Sequence, residues 1–381
     1  MQQADEAARP AFLAAFMRPA GGARLASPAA RLIERTRHLL RRATQTSAPP
    51  PVAMLELLSA GWLSQAIVAA AELGLADAID AQPRPVNEVA HELGLNADAA
   101  GRLLRALAQH GVFQRLPDGR YRATPLSRTL RRDGPSSIRD FALFLGSSPH
   151  REHWSNLAAA VRTGRAAIAS LRGADFFDYA RREPEFGALF GAAMSSLSRL
   201  SRDYVLTAYD FSGLRSLVDV GGGEGRLLRE LLEHAPDLRG VLFDLPEVIE
   251  RCVPLPATVE RRFARVPGSF FDAWPPGHDA YLLKHVLHDW DDEPARRILA
   301  RAREALLPSQ SGRLLLVEMV LPADATPHPG TLFDLEMLLS VDGRERTRAE
   351  FERLLGAEGF ELARVIPTAS PLSILEASLT R

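Results

Sequence analysis

The stretch Leu217-Val218-Asp219-Val220-Gly221-Gly222-Gly223-Glu224-Gly225 constrains this chain more than any other: an apolar run breaks into glycines and passes at once into the helical pattern Arg226 to His234. A buried strand ending in such a turn lets backbone N–H groups and a helix N-terminus approach a ligand that side chains would keep out. Glycines at 221, 223 and 225 read G-x-G-x-G, whereas the dinucleotide fingerprint G-x-G-x-x-G needs a small residue where this chain has Arg226. Asp219 puts a carboxylate where a pyrophosphate would lie, which suits a cationic ligand with an amino group better than a phosphate. A tight turn with no ligand is the plain alternative. Against it stands Asp244, about twenty residues on, at the end of Gly240-Val241-Leu242-Phe243, where a ribose-hydroxyl acceptor is expected.

The chain of 381 residues is long enough for two or three domains. A net charge of −1 argues against a nucleic-acid binder that works by phosphate neutralisation. One cysteine, Cys252, excludes a disulfide framework and a cysteine-rich metal site. No apolar run reaches the roughly eighteen residues of a membrane helix, and no secretory h-region follows the basic start, so the expected compartment is the cytoplasm. Lys284 is the single lysine among 46 basic residues, a position where a forked guanidinium does not fit or a chance survivor in an arginine-biased sequence.

Residues 1–50 are rich in alanine and arginine, with eight arginines against three acids, and Leu32, Ile33, Thr36, Leu39 and Leu40 predict a basic amphipathic helix over about 31–43. Such a helix touches a membrane or nucleic acid less often than it packs on its own protein or a partner subunit. From Met54 to about Asp80 the pattern is helical and apolar nearly all round, which predicts a dimer interface. Residues 86–95 and 97–110 predict two helices joined by a glycine turn, and residues 111–122 a hairpin around Pro117-Asp118-Gly119, a winged-helix pattern. Its second helix shows few exposed base-reading groups, which weighs against sequence-specific DNA binding.

Residues 138–200 predict an aromatic-rich helical region in which Phe190 and Met194, spaced i and i+4, share a helix face suited to a flat apolar ligand. After Leu214 short apolar strands alternate with helices to the C-terminus, predicting an α/β fold with a parallel-type sheet whose ligand crevice lies beyond the strand ends, where Asp219, Asp244, Lys284 and Glu318 all fall. The run Lys284-His285-Val286-Leu287-His288-Asp289-Trp290-Asp291-Asp292 sets two histidines beside acids, and His285 and His288 compete as the proton acceptor. A metal site built on the two histidines is the rival reading, without a matching ligand pattern elsewhere.

Together the glycine turn, Phe243-Asp244-Leu245-Pro246, Gly268-Ser269-Phe270-Phe271, Leu283 to Asp292, Leu316-Val317-Glu318 and Gly343-Arg344-Glu345-Arg346-Thr347 resemble the S-adenosylmethionine-dependent small-molecule O-methyltransferases, the plant caffeic-acid type and bacterial secondary-metabolite relatives. The resemblance runs from about Met54 to the C-terminus. It leaves residues 1–50 as an extension outside the family pattern and implies a helical, winged-helix-like dimerisation and substrate-chamber domain (51–200) and a Rossmann-like class I methyltransferase domain (201–381). It also implies S-adenosylmethionine as cofactor, S-adenosylhomocysteine as its product, no metal, and homodimerisation. Asp219, Gly221 and Gly223 then hold the methionine part, Asp244 the ribose, Leu245 and Phe270 the adenine, and Lys284 lies at the cofactor. Ser269 stands where the family commonly has an acid facing the adenine amino group. His288 matches the general base, flanked by Glu318 and Glu345, and Trp154, Phe190, Met194, Asp334 and Met337 fall in segments forming the acceptor chamber. Val341-Asp342-Gly343 departs from the family's usual glycine pair, which puts the placement of Glu345 in question. The reading is an O-methyltransferase acting on an aromatic hydroxyl of a polyketide, phenazine or phenol. Its rivals are a relative that binds S-adenosylmethionine but hydroxylates or decarboxylates, and a ligand-responsive winged-helix regulator.

Overall fold

The computed structural model describes residues 27–309 and 311–380, with side chains from Thr36 onward, so most of the basic N-terminal stretch lies outside the described residues. The predicted basic helix spans Ser27–Thr46. Helix Pro50–Glu72 follows, but it does not run on to Asp80 as its apolar pattern suggests. Gly74, at φ 74°, breaks it, and a separate short helix Leu75–Ile79 follows. By length and composition Pro50–Glu72 is apolar enough to cross a membrane, which corrects the expectation that no segment qualifies. It also leaves Leu55, Leu58 and Trp62 exposed, Trp62 to 76%.

Helices Val86–Leu93 and Ala97–Gln109 meet at Gly94, and the Asn96 side chain accepts the Ala99 N–H to start the second. Strands β1 (Phe113–Arg115) and β2 (Tyr121–Ala123) close the expected hairpin. Both helices and hairpin bury Val89, Leu104, Leu107, Phe113 and Tyr121 in one cluster. Leu104 and Leu107 of the second helix therefore serve the core rather than a groove-reading surface.

Helices Arg139–Gly146, Ser148–Ser155, Leu157–Thr163, Ala167–Arg172, Phe176–Arg182 and Pro184–Ala208 form the aromatic-rich region. The last is continuous through residue 200, so the expected domain boundary there falls inside a helix.

The C-terminal half contains β3 (Ser216–Val220), β4 (Arg239–Asp244), β5 (Phe263–Pro267), β6 (Ala280–Lys284), β7 (Arg313–Leu321), β8 (Arg346–Thr347), β9 (Phe360–Pro367) and β10 (Leu372–Leu379). They lie in the order β5-β4-β3-β6-β7-β10-β9, with β8 beside β7. Strands β3 to β7 pair in parallel, but β10 runs antiparallel to both β7 and β9, so the sheet is mixed rather than parallel throughout. The cause is local: only Thr368 to Pro371 join β9 to β10, too short for the crossover that parallel strands need. Alternation along β3 sends Val218 and Val220 to one core, with Leu283, Ile298 and Leu316, and Leu217 to the other, with Leu228, Leu242 and Leu282. Asp219 shares the face of Leu217 and sits at the strand's C-terminal end, 1% exposed.

Candidate active site

At the end of β3, Gly221, Gly223 and Gly225 take φ values of 68°, 61° and 75°, a left-handed succession that residues with a Cβ rarely adopt. Space forbids side chains as well, since a Cβ on Gly222 would lie 2.6 Å from the Asp219 carboxyl and one on Gly221 3.0 Å from Val286. Asp244 draws the turn to β4, accepting the Gly223 N–H at 2.8 Å on one oxygen and the Leu245 N–H at 2.7 Å on the other. Asp219 Oδ2 is buried with no hydrogen-bond partner, and burial pushes its carboxyl up to about 7 against the pull of Lys284. Lys284, at the end of β6, donates to Ser198 Oγ at 3.1 Å, and burial holds its ammonium down to about 8. An unpartnered carboxylate beside a cradle that only glycine leaves open fits a ligand ammonium group.

After Lys284 the chain turns through His285, at φ 54°, into the 3-10 turn Leu287–Asp289. Three anchors fix that turn. Glu318 Oε1, on β7, accepts the Val286 and Leu287 N–H groups at 3.2 and 3.0 Å. Arg346, 1% exposed, donates to Leu287 O and Trp290 O at 2.9 and 2.8 Å and pairs with Asp292 at 2.8 Å. The Arg344 N–H donates to His288 O at 2.8 Å.

His288 is held between carboxylates. Its Nδ1 donates to Glu345 Oε1 at 2.9 Å, with Glu318 Oε2 at 3.9 Å, and its Nε2 lies 3.4 Å from Asp289 Oδ1. Burial alone would favour the neutral ring, but Asp289, Glu318 and Glu345 outweigh it and lift the imidazole to about 10. Burial also raises Glu318 to about 7 and Asp289 to about 6. His285 faces the opposite balance: burial, then Lys284 and His288, keep it well below the ordinary histidine value. Donor atoms of His285, His288 and Glu318 lie within 4.8 Å of one another, a spacing that suits a cation; in this fold, Glu318 Oε1 and His288 Nδ1 are already engaged by protein partners.

A cavity of about 1100 Å³ opens over these groups. Asp219, Gly221, Gly223, Lys284, His288, Trp154, Phe190, Met194 and Met337 all line it, so nine of the sequence-predicted residues meet in one space. Others stand behind the wall. Glu318 and Glu345 back His288, and Phe270 lies against the glycine turn, 3.7 Å from where a Gly221 Cβ would be. Ser269 Oγ accepts the Phe271 N–H at 3.2 Å, a local turn contact. Asp334 accepts the Glu345 N–H at 2.9 Å and so positions that acid instead of forming chamber wall. Asp342 takes the left-handed conformation at φ 57° that a glycine would otherwise supply, and Glu345 reaches His288 without the usual glycine pair. Sequence reading missed Phe144, His150, Glu336 and Ser340, which also line the cavity. Glu336 and Ser340, at i and i+4 on helix Gly330–Val341, carried a helix-face signal that could have found them.

Comparison with known proteins agrees with this layout. Residues 154–361 match the O-methyltransferase domain and residues 55–133 the O-methyltransferase dimerisation domain. The phenazine O-methyltransferase PhzM of Lysobacter antibioticus is 38% identical over 326 residues, which cover 85% of this chain and 95% of the relative. The phenazine-1-carboxylate N-methyltransferase of Pseudomonas aeruginosa is 31% identical, over 82% of this chain and 92% of that one. The structure of NcsB1, an O-methyltransferase from neocarzinostatin biosynthesis in complex with S-adenosylmethionine and 2-hydroxy-5-methyl naphthoic acid, superposes with a TM-score of 0.68 at 34% identity, covering 83% of this chain and 96% of that one. With both family domains matched over most of its length, the chain belongs to the S-adenosylmethionine-dependent O-methyltransferases of secondary metabolism.

Proposed function

We propose that this enzyme methylates an aromatic hydroxyl of a small secondary metabolite, with His288 as general base. The observation that carries the reading is the 2.9 Å bond from His288 Nδ1 to Glu345, which keeps a proton on Nδ1 and makes Nε2 the nitrogen that gains and loses one in a cavity-lining ring. Asp219, Gly221 and Gly223 hold the amino-acid end of the cofactor, Asp244 the ribose, Leu245, Ser269 and Phe270 the adenine, and Lys284 the region between cofactor and base. The bound cofactor supplies an electrophilic methyl group on a sulfonium. Trp154, Phe190, Met194 and Met337 bracket the acceptor ring, and Asp334 and Glu318 hold the groups that orient His288. Two copies pair through the exposed face of helix Pro50–Glu72, with residues 51–208 as the dimerisation and chamber unit.

A phenol of pKa about 10 is a poor nucleophile at neutral pH. His288 Nε2, in its neutral form, would take the hydroxyl proton, leaving the acceptor oxygen as the nucleophile toward the methyl group that a bound cofactor would supply. Such a base contributes about 10² to 10⁴-fold. The three carboxylates stabilise the imidazolium; in the ligand-free enzyme they hold the ring protonated at neutral pH, so the base acts in its neutral form, at higher pH or once a bound cation lowers its pKa.

The test is label transfer from methyl-labelled S-adenosylmethionine to a panel of phenols, hydroxyphenazines and polyketide aglycones, with matched aryl amines. The reading expects labelled methyl ethers and a His288→Ala variant slowed about 10² to 10⁴-fold with cofactor binding intact. Label appearing only on amines would transfer the assignment to nitrogen, and clear cofactor binding with no transfer at all would favour non-methylating chemistry.

A further inference from the structure

The acceptor chamber contains a carboxylate that the methyl transfer does not use. Glu336 lines the cavity among Phe144, Phe190 and Met337, with a side chain 16% exposed. An anion in such a wall is costly unless its oxygens are occupied. Glu336 Oε2 accepts from Trp154 Nε1 at 2.5 Å and from His150 Nε2 at 3.1 Å, and Oε1 accepts from Ser340 Oγ at 2.8 Å. Burial works against the anion, but those bonds outweigh it and hold the carboxyl below its ordinary value.

Counting hydrogens and lone pairs shows what the cluster can still accept. The one indole hydrogen of Trp154 is spent on Glu336. His150 places Nδ1 at 3.2 Å from Leu145 O and Nε2 on Glu336, two acceptors, so neither nitrogen has a hydrogen left for a ligand. Ser340 has spent its hydroxyl hydrogen on Glu336. What remains is one lone pair on Glu336 Oε1 and the lone pairs of Ser340 Oγ, all of them acceptors. A ligand N–H or O–H finds a partner here; a carboxylate meets like charge and no donor.

We infer that Glu336 and Ser340 form a recognition point that selects aromatic acceptors bearing a second hydrogen-bond donor, an amine or hydroxyl, and rejects acceptors bearing a carboxylate at that end. The inference rests on the methyl-transfer reading for its term "acceptor", and it concerns binding alone. Arg151 also lines the cavity and donates to Gln65, so a carboxylate-bearing acceptor that did bind would have to turn toward Arg151.

The experiment is calorimetric binding to the full chain saturated with S-adenosylhomocysteine, where no turnover occurs and failure of catalysis leaves the result unaffected. The probes are a naphthol, an aminonaphthol and a hydroxynaphthoic acid of matched ring geometry. Wild type is expected to bind the aminonaphthol about 10- to 100-fold tighter than the naphthol, and the hydroxynaphthoic acid weakest. Glu336→Gln, which turns part of the acceptor into a donor, loses that preference and binds the acid better. Ser340→Ala loses roughly 3- to 10-fold of the amine preference and serves if the first variant does not fold. A folded Glu336→Gln protein that binds S-adenosylhomocysteine normally and keeps the wild-type ranking overturns the inference, as does an unchanged ranking in Ser340→Ala.

Discussion

Gly343 packs directly on the backbone of Asp289: a Cβ added to it would lie 2.7 Å from the Asp289 carbonyl carbon and closer still to His288 O. The loop that brings Glu345 to His288 therefore touches the turn that carries His288 through a residue with no side chain. Backbone cannot swing aside as a side-chain tip can. Gly343→Ala is expected to lower kcat about tenfold or more, and stability by about 1–3 kcal/mol, while cofactor affinity holds. Steady-state kinetics beside calorimetric cofactor binding checks this; an unchanged kcat would mean that the contact does not set the His288–Glu345 bond.

The charge around His288 sets a pH dependence. Because the folded-state value is raised to about 10, the ring of the ligand-free enzyme is protonated at neutral pH and cannot take a proton. A bound sulfonium cation opposes that charge and moves the value down. kcat/KM for a phenol, which reports the free enzyme, should therefore rise through the neutral range into alkaline pH. Replacing Glu345 with glutamine removes an anion that favours the imidazolium, so the rise should begin at lower pH. A profile that does not move in Glu345→Gln removes Glu345 from that role.

Ionising the buried Asp219 carboxyl costs folding stability. Its folded-state value is raised from 3.8 to about 7, so ionisation costs folding free energy that sets in above about pH 4 and is complete above pH 7. Asp219→Asn should melt higher than wild type at pH 8, show a much smaller gain at pH 5, and bind S-adenosylmethionine at least about tenfold more weakly. Thermal melts at the two pH values with a titration of the cofactor separate these effects. Equal gains at both pH values would show that the buried charge is not their source.

Arg346 holds the turn that presents His288. Lysine cannot reproduce its grip on Leu287 O, Trp290 O and Asp292, because one ammonium lacks the planar fork. Arg346→Lys should lose about 1–3 kcal/mol in urea unfolding and more than half of kcat, and Arg346→Ala should lose more of both. Wild-type stability in the lysine variant would refute the three-point anchor.

Trp62 and Leu58 are 76% and 69% exposed on a helix within the dimerisation-domain match. Trp62→Glu should shift the sedimenting species from dimer to monomer. A dimer of unchanged mass would move the interface elsewhere.

How much of this could be read from the chain depends on what each segment buries. Strands β3, β4, β6 and β7 are apolar because both faces are covered, and their sequences announce them. β5 and β9 lie at the sheet's edges and expose much of their length. Arg265 and Pro267 in one, and Glu361, Arg364 and Pro367 in the other, mask the strand signal. The antiparallel sense of β10 depends on the hairpin with β9, and the polar residues that mask β9 hide that pairing from the sequence. In the site, the glycine turn and His288 are legible because their chemistry demands particular residues at fixed spacing. The Glu336 cluster joins helices about 180 residues apart, and no local pattern records that Trp154 and Glu336 meet. Asp334 shows the reverse: a residue placed in the right segment, whose carboxylate turns to a backbone N–H.

Lys284, half-buried at the end of β6 with its ammonium near 8, is the single lysine side chain in the sequence. Reagents that acylate or reductively alkylate amines therefore meet no lysine on this protein's surface. At mildly alkaline pH the one ε-amine they can find is largely unprotonated and lies inside the cleft. Its modification would act as a reporter of vacancy: fast in the empty enzyme, slowed by whatever fills the space beside the glycine turn, and readable as a mass increment on the one peptide that contains Lys284.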